Sequence, residues 1–289
     1  MVPPPSDSTA PPPDSSGPGG PVPPPTHVGI PFGPYHLPPE LYGAGFSGSL
    51  LAARPDSLVM ALEAARRASA RVLIGLTGSE SRLLGEDGHF SLEVWKRRVD
   101  RFRGDDLSSY IQDGTIIGHY IMDEPHDASN WGGRVVSRSD IDEMARYSKE
   151  LWPSMLTIIR GKPDYLKGYQ YRYLDAAWAQ YTERFGPIEG FISSNVQDAR
   201  ASGLTLVAGL NVLNGGSPNS GIPGTRAGKY GMSPSELKAW GGALLAEPSI
   251  CAFIVWKYDS QYFSRPAIKA AFEDLGKVAR SYPKKSCGR

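Results

Sequence analysis

Apolar and polar positions follow two rhythms along this chain, and the switches between them mark out strands and helices. From Tyr42 the order is strand, helix, strand, helix, as in a parallel sheet joined by crossover helices. Gly43 to Gly48 is expected to form or end a first strand. Asp56 then caps a helix over Ser57 to Ala70, with Leu58, Leu62 and Ala65 on its inner face. Val72 to Leu76 makes the next strand, and Thr77-Gly-Ser-Glu80 its carboxyl-end loop. A helix opens at Ser91, where Leu92, Trp95, Val99 and Phe102 form one stripe against Lys96, Arg97 and Asp100.

The central segment is Thr115 to Asp127. Ile116 to Met122 has little polar alternation, which predicts a parallel strand buried on both faces and ended by Pro125. A helix over Ser139 to Trp152 stops at Pro153. Met155 to Ile159, Ala176 to Gln180 and Leu204 to Val212 are further strands, with a helix at Ile188 to Ala201. Ser233-Pro-Ser-Glu236 combines a capping box with proline at the first helical position, opening a helix that runs to Ala246. Ile250 to Tyr258 is the last strand, and Pro266 to Ser281 the last helix, with Ile268, Phe272, Leu275 and Ala279 inward. Seven strands are placed this way, and the eighth is expected within Ile30 to His36 or Tyr165 to Tyr173. The architecture expected is an α/β fold, a single-domain (β/α)8 TIM barrel. An open doubly wound sheet is the alternative, but no glycine-rich phosphate fingerprint follows the first strand.

Composition changes the picture at the N-terminus. The first 25 residues hold 11 prolines among Ser, Gly, Thr and Asp, so residues 1–28 are expected to be a disordered linker and 29–289 the barrel. Such linkers tether exported domains, so an extracellular or periplasmic location, with a membrane tether through the linker, is expected. The net charge of +1 offers no basic field for nucleic acid. No apolar run approaches the roughly 18 residues of a bilayer span, and a monomer is expected. The five histidines, at 27, 36, 89, 119 and 126, lack metal-ligand spacing, so neither metal nor cofactor is expected. His119 is expected to be a hydrogen-bonded barrel residue, and Lys257 to face away from Trp256 and Tyr258.

Catalytic groups of barrels occupy the carboxyl ends of strands. Collecting those ends gives Glu80, Asp123, Glu124, Arg160, Gln180, Asn211, Trp256, Tyr258 and Asp259. Carboxylic acids move protons and stabilise an oxocarbenium-like transition state, flat aromatic faces suit sugar C–H surfaces, and amides pair with hydroxyls. The set favours a carbohydrate over a phosphate or nucleotide.

The strand ending Tyr120-Ile-Met-Asp-Glu-Pro125 and the last strand Phe253-Ile-Val-Trp-Lys-Tyr-Asp259, followed by Tyr262-Phe263, resemble secreted bacterial glycoside-hydrolase-type (β/α)8 barrels over roughly Tyr42 to Ser281. The resemblance implies that Glu124 is the general acid/base and that Trp256 lines a sugar subsite. It also departs from the pattern, because Leu204 to Asn214 carries no acid where many retaining families place a second Glu. Asp123, Glu80 and Asp259 are the candidates for that second role. The adjacent pair also resembles hexosaminidase-type enzymes, in which Asp123 would orient a 2-acetamido nucleophile and Glu124 would act as the acid. A glycosidase of poly- or oligosaccharides, in a substrate-assisted form on an N-acetylhexosamine as one variant, is thus expected; a carbohydrate-binding barrel without turnover is the alternative.

Cys251 and Cys287 are the only cysteines. The last helix returns the chain toward the amino end of the last strand, which brings them to the same face. A disulfide there and a pair of separate thiols are both open on this reading.

Overall fold

The computed structural model describes residues 27–283 and 285–288. Its eight strands are β1 (Phe32–Pro34), β2 (Gly48–Ala52), β3 (Arg71–Gly75), β4 (Ile116–Asp123), β5 (Thr157–Arg160), β6 (Ala176–Tyr181), β7 (Thr205–Leu210) and β8 (Ile250–Val255). All ladders are parallel, in the order β1-β8-β7-β6-β5-β4-β3-β2. The ends of that order meet through a Tyr35–Leu50 bridge, and the His36 N–H donates to the Leu50 carbonyl at 3.1 Å. The fold is therefore a (β/α)8 barrel, and the doubly wound alternative falls. Contact between β1 and β2 is close enough to require glycine, since a Cβ on Gly33 would meet the Gly48 carbonyl oxygen at 2.0 Å.

The eighth strand is β1, inside Ile30 to His36; Tyr165 to Tyr173 forms no strand. The first strand expected at Gly43 to Gly48 is corrected to β2, which begins where that stretch ends. Gly43 and Gly45 adopt positive φ, so the preceding residues turn rather than extend. The linker expected over residues 1–28 lies outside the described residues except for His27 and Val28. His27 is buried, with Nδ1 3.1 Å from the Ser69 carbonyl oxygen.

The helices are α1 (Leu58–Arg67), α2 (Leu92–Val99), α3 (Ser108–Gln112), α4 (Arg138–Leu151), α5 (Pro163–Leu166), α6 (Ile188–Ala201), α7 (Pro234–Ala246), α8 (Ser260–Phe263) and α9 (Pro266–Ser281). Local chemistry sets their ends. Ser91 and Ser137 accept N-cap hydrogen bonds at α2 and α4, and Ser233 with Glu236 completes the capping box at α7. Among the described residues no helix is long and apolar enough to cross a membrane.

Strand alternation divides the core. Leu50, Leu73, Ile117, Ile158, Trp178, Val207 and Ile254 pack in the barrel interior, while outward residues meet the helices. His119 faces outward, stacked on Trp95 at 5.8 Å with Nδ1 2.9 Å from the Ser148 hydroxyl. Its complete burial holds the imidazole low, at about 3, so it stays neutral. At the amino ends of the strands Cys251 and Cys287 form a disulfide with a Cα–Cα distance of 5.2 Å. The Thr205 hydroxyl donates to the Cys287 carbonyl at 2.6 Å and fixes the tail beneath β7.

Candidate functional site

Glu124 follows the last residue of β4 and takes a left-handed backbone conformation, φ 37°, that costs a non-glycine residue about 1 kcal/mol or more. Several bonds hold it there. Its N–H donates to the Arg160 carbonyl at 2.7 Å, while its own carbonyl accepts the Asp127 N–H at 3.0 Å and the buried Trp131 indole N–H at 2.9 Å. The turn leaves both neighbouring carboxylates beside Arg160.

Asp123 points to Arg160. The guanidinium grips it with Nε and Nη2, the latter at 2.9 Å, and Nη1 donates to Gln180 Oε1 at 3.1 Å. The side chains of Arg160 and Asp123 are only 12% and 15% exposed. Burial alone would drive the Arg160 guanidinium down, but Asp123, with Tyr120 and Glu124, lifts it above its ordinary value. Glu124 Oε1 lies 3.5 Å from Arg160 Nη2, and its side chain is 36% exposed. It is thus the accessible carboxylate of the two.

A second group gathers behind Asp123. Burial, then the Asp123 charge, pushes the Glu80 carboxyl up. The same causes, joined by Glu80, raise the Tyr35 phenol to about 12, so it remains protonated at neutral pH. Tyr35 stacks on Trp256 at 5.3 Å, and the Arg160 guanidinium lies 5.3 Å from the Trp256 ring centroid. Two neighbours therefore already lie against that ring.

Two connected cavities open at this mouth, of about 800 Å³ and about 370 Å³. Glu124, Asp127, Arg160, Gln180, Thr182 and Asn211 line both, and Trp256 lines the smaller. The barrel thus brings Asp123, Glu124, Arg160, Gln180, Asn211 and Trp256 together, with Glu80 on the far side of Asp123. The surroundings of Glu124 are more polar than an apolar mouth, since the Arg160 guanidinium lies beside it and Gln180 and Asn211 line the same cavities.

Tyr258 and Asp259 are placed otherwise. The Tyr258 ring packs on Phe263 at 5.2 Å, and the Asp259 carboxylate accepts the Tyr262 N–H at 2.9 Å as the N-cap of α8. The last strand bridge is at Trp256, and beyond it the Tyr258 N–H donates to the Tyr35 carbonyl at 2.7 Å. Lys257 is exposed.

Trp178 and Thr182, not expected from the sequence, flank the expected Gln180 in the walls. Trp178, Gln180 and Thr182 follow one another at every second position along and just past β6, and the Trp178 indole nitrogen, Gln180 Nε2 and the Thr182 hydroxyl all lack a partner among the described residues. The two-residue repeat was the available signal. His126 lines the larger cavity with an unpartnered Nδ1; burial lowers its imidazole, against a smaller opposing effect of Glu124. Phe185 ends a single 3-10 turn and Tyr230 lies on a loop, neither segment long enough to show a period that would reveal them. Among the described residues no group of three or more His, Cys, Asp or Glu is arranged to hold a metal.

No family model and no curated protein matches the chain. Several solved structures with the same barrel are glycosidases. A GH113 β-1,4-mannanase aligns at a TM-score of 0.60 and 10% identity, covering 89% of this chain and 100% of that one. A GH2 β-galacturonidase from Eisenbergiella tayi aligns at 0.58 and 14%, covering 89% of this chain, which spans only 52% of the galacturonidase. A putative α-L-fucosidase from Bacteroides thetaiotaomicron aligns at 0.52 and 11%, with 93% and 100% covered. At such identities the likeness establishes the fold: this chain has the TIM barrel found in glycoside hydrolases.

Proposed function

We propose that the protein is a glycoside hydrolase acting on O-glycosidic bonds of a poly- or oligosaccharide, with Glu124 as the general acid/base. One observation carries this reading: Glu124 is an accessible carboxylate, fixed by its backbone at the carboxyl end of a central strand, lining both cavities of the mouth. In the reaction Glu124 gives its proton to the glycosidic oxygen as the C1–O bond breaks. Water then supplies hydroxide to the anomeric carbon and a proton back to the carboxylate. Gln180 and Asn211 are within reach of sugar hydroxyls, and Trp256 borders the smaller cavity.

The Asp123–Arg160 pair limits the second carboxylate. Two guanidinium hydrogen bonds stabilise its charge, which makes Asp123 a poor attacking group and a good orienting one. Orientation is also what substrate assistance on an N-acetylhexosamine asks of it. Glu80, pushed up beside Asp123, is the remaining candidate for a second proton-transfer role. The disulfide fits an oxidising compartment, in line with export.

The test is Glu124→Gln assayed on aryl glycosides and polysaccharides. Turnover on substrates with poor leaving groups should fall about 10²- to 10⁴-fold with the melting temperature unchanged; near wild-type rates would remove Glu124 from the mechanism. The second reading, a carbohydrate-binding barrel without turnover, is favoured by the absence of acid from Leu204 to Asn214. Glycan binding without hydrolysis by the unmodified protein would establish it.

A further inference from the structure

We infer that the cleft engages a glycan chain through its middle, so that the enzyme cuts internal linkages rather than trimming ends. This rests on the reading of Glu124 as the acid and adds the mode of attack. The cavities are two lobes of one cleft, and Glu124 lines both. An enzyme that removes terminal sugars needs its acid at one end of the bound space; here Glu124 belongs to the walls common to both lobes. The larger lobe extends toward Phe185, Phe191 and Asp198, and the smaller toward Asn214, Lys229 and Tyr230.

Each lobe also carries an aromatic ring that the fold leaves in water. Phe185, 38% exposed, is braced by a stacked Phe191 at 5.6 Å and 26°. Tyr230, 37% exposed, stands on the loop between β7 and α7, where it bridges Pro223 and its carbonyl accepts the Gly216 N–H at 2.9 Å. Phe185 lines only the larger lobe and Tyr230 only the smaller. Flat apolar faces of this kind stack on pyranose C–H surfaces and tolerate variation in the hydroxyls. A chain held by one ring on each side must cross Glu124 between them. Along that path the unpartnered Gln180 Nε2 and Thr182 hydroxyl supply polar contacts common to both lobes. The occupant implied is an extended polysaccharide several sugars long.

The experiment uses manno-, laminari- and chito-oligosaccharides from the disaccharide upward, each labelled at the reducing end. Calorimetric titration of the Glu124→Gln protein should show affinity rising with chain length. Phe185→Ala and Tyr230→Ala, each made in that background, should each weaken the longest ligand by about tenfold and the disaccharide by less. With the unmodified enzyme, product ladders should show internal cleavage. Length-dependent binding without hydrolysis would leave the two-lobed cleft standing and remove the hydrolase reading. Stepwise release of single sugars, with affinity saturating at the disaccharide, would overturn the inference while leaving the hydrolase reading intact. Failure of every series to bind at any length would overturn it as well.

Discussion

Arg160→Met separates the electrostatics of the site from its packing. Methionine fills much of the same space but removes the charge and the fork that holds Asp123 by two contacts and Gln180 by a third. With the Asp123 side chain 15% exposed, water reaches the abandoned carboxylate poorly. Breaking one side of a buried pair costs about 3–5 kcal/mol, and the residual exposure here places the expectation near the lower figure. Urea unfolding at neutral pH should therefore show a loss of about 3 kcal/mol. The sign of its pH dependence is the sharper test. Without its counter-ion Asp123 is stabilised by taking up a proton, so the deficit should shrink as the solution is acidified. Removing both charges together, as Arg160→Met with Asp123→Leu, should recover most of the loss, whereas Arg160→Lys should not restore activity because an ammonium cannot reproduce the planar fork. A deficit below about 1 kcal/mol, or one indifferent to pH, would refute the claim that the pair is energetically coupled.

Three further outcomes are expected. His119 is held neutral down to about 3 in the fold but titrates near its ordinary 6.5 when unfolded, so the unfolded chain gains a proton that the native one refuses; stability should fall from about pH 6.5 toward 3, by up to about 1.4 kcal/mol per unit, and His119→Gln should flatten that slope in acid titrations followed by circular dichroism. Cys287→Ser opens a 36-residue separation and should cost about 4 kcal/mol in the chain-entropy account, lowering the calorimetric Tm by roughly 8–16 °C; a shift under about 2 °C would show that the tail is held without the bridge. Trp256→Ala should weaken glycan affinity about tenfold while changing the Tm little, and a large Tm loss at unchanged affinity would assign the ring to packing against Tyr35 and Arg160.

Much of the scaffold was legible because its signals are local. Ile188–Ala201 and Pro266–Ser281 form the helices expected to the residue, the second with the apolar spacing and the proline in its first turn that its sequence shows. β1 spans three residues, too short for any period, and glycine turns displaced β2 from its expected place. Within the site, Asp123, Glu124, Arg160, Gln180, Asn211 and Trp256 were findable because parallel strands deliver their carboxyl ends to one mouth. Tyr258 and Asp259 were carried along by extending β8 past its end. What no local pattern reveals is that Arg160, 37 residues away, grips Asp123 and leaves Glu124 as the accessible acid.

The disulfide has a geometric consequence. It fixes Cys287 beneath the start of β8, while at the other end of the described chain the Ile30 N–H donates to the Ala279 carbonyl at 3.1 Å, at the foot of β1. Both entry and exit points therefore lie on the floor of the barrel, and the strands rise from there to the cleft. A partner domain, resin or surface joined at either point stands behind the molecule. Immobilised copies would present the mouth of the barrel outward, away from the support.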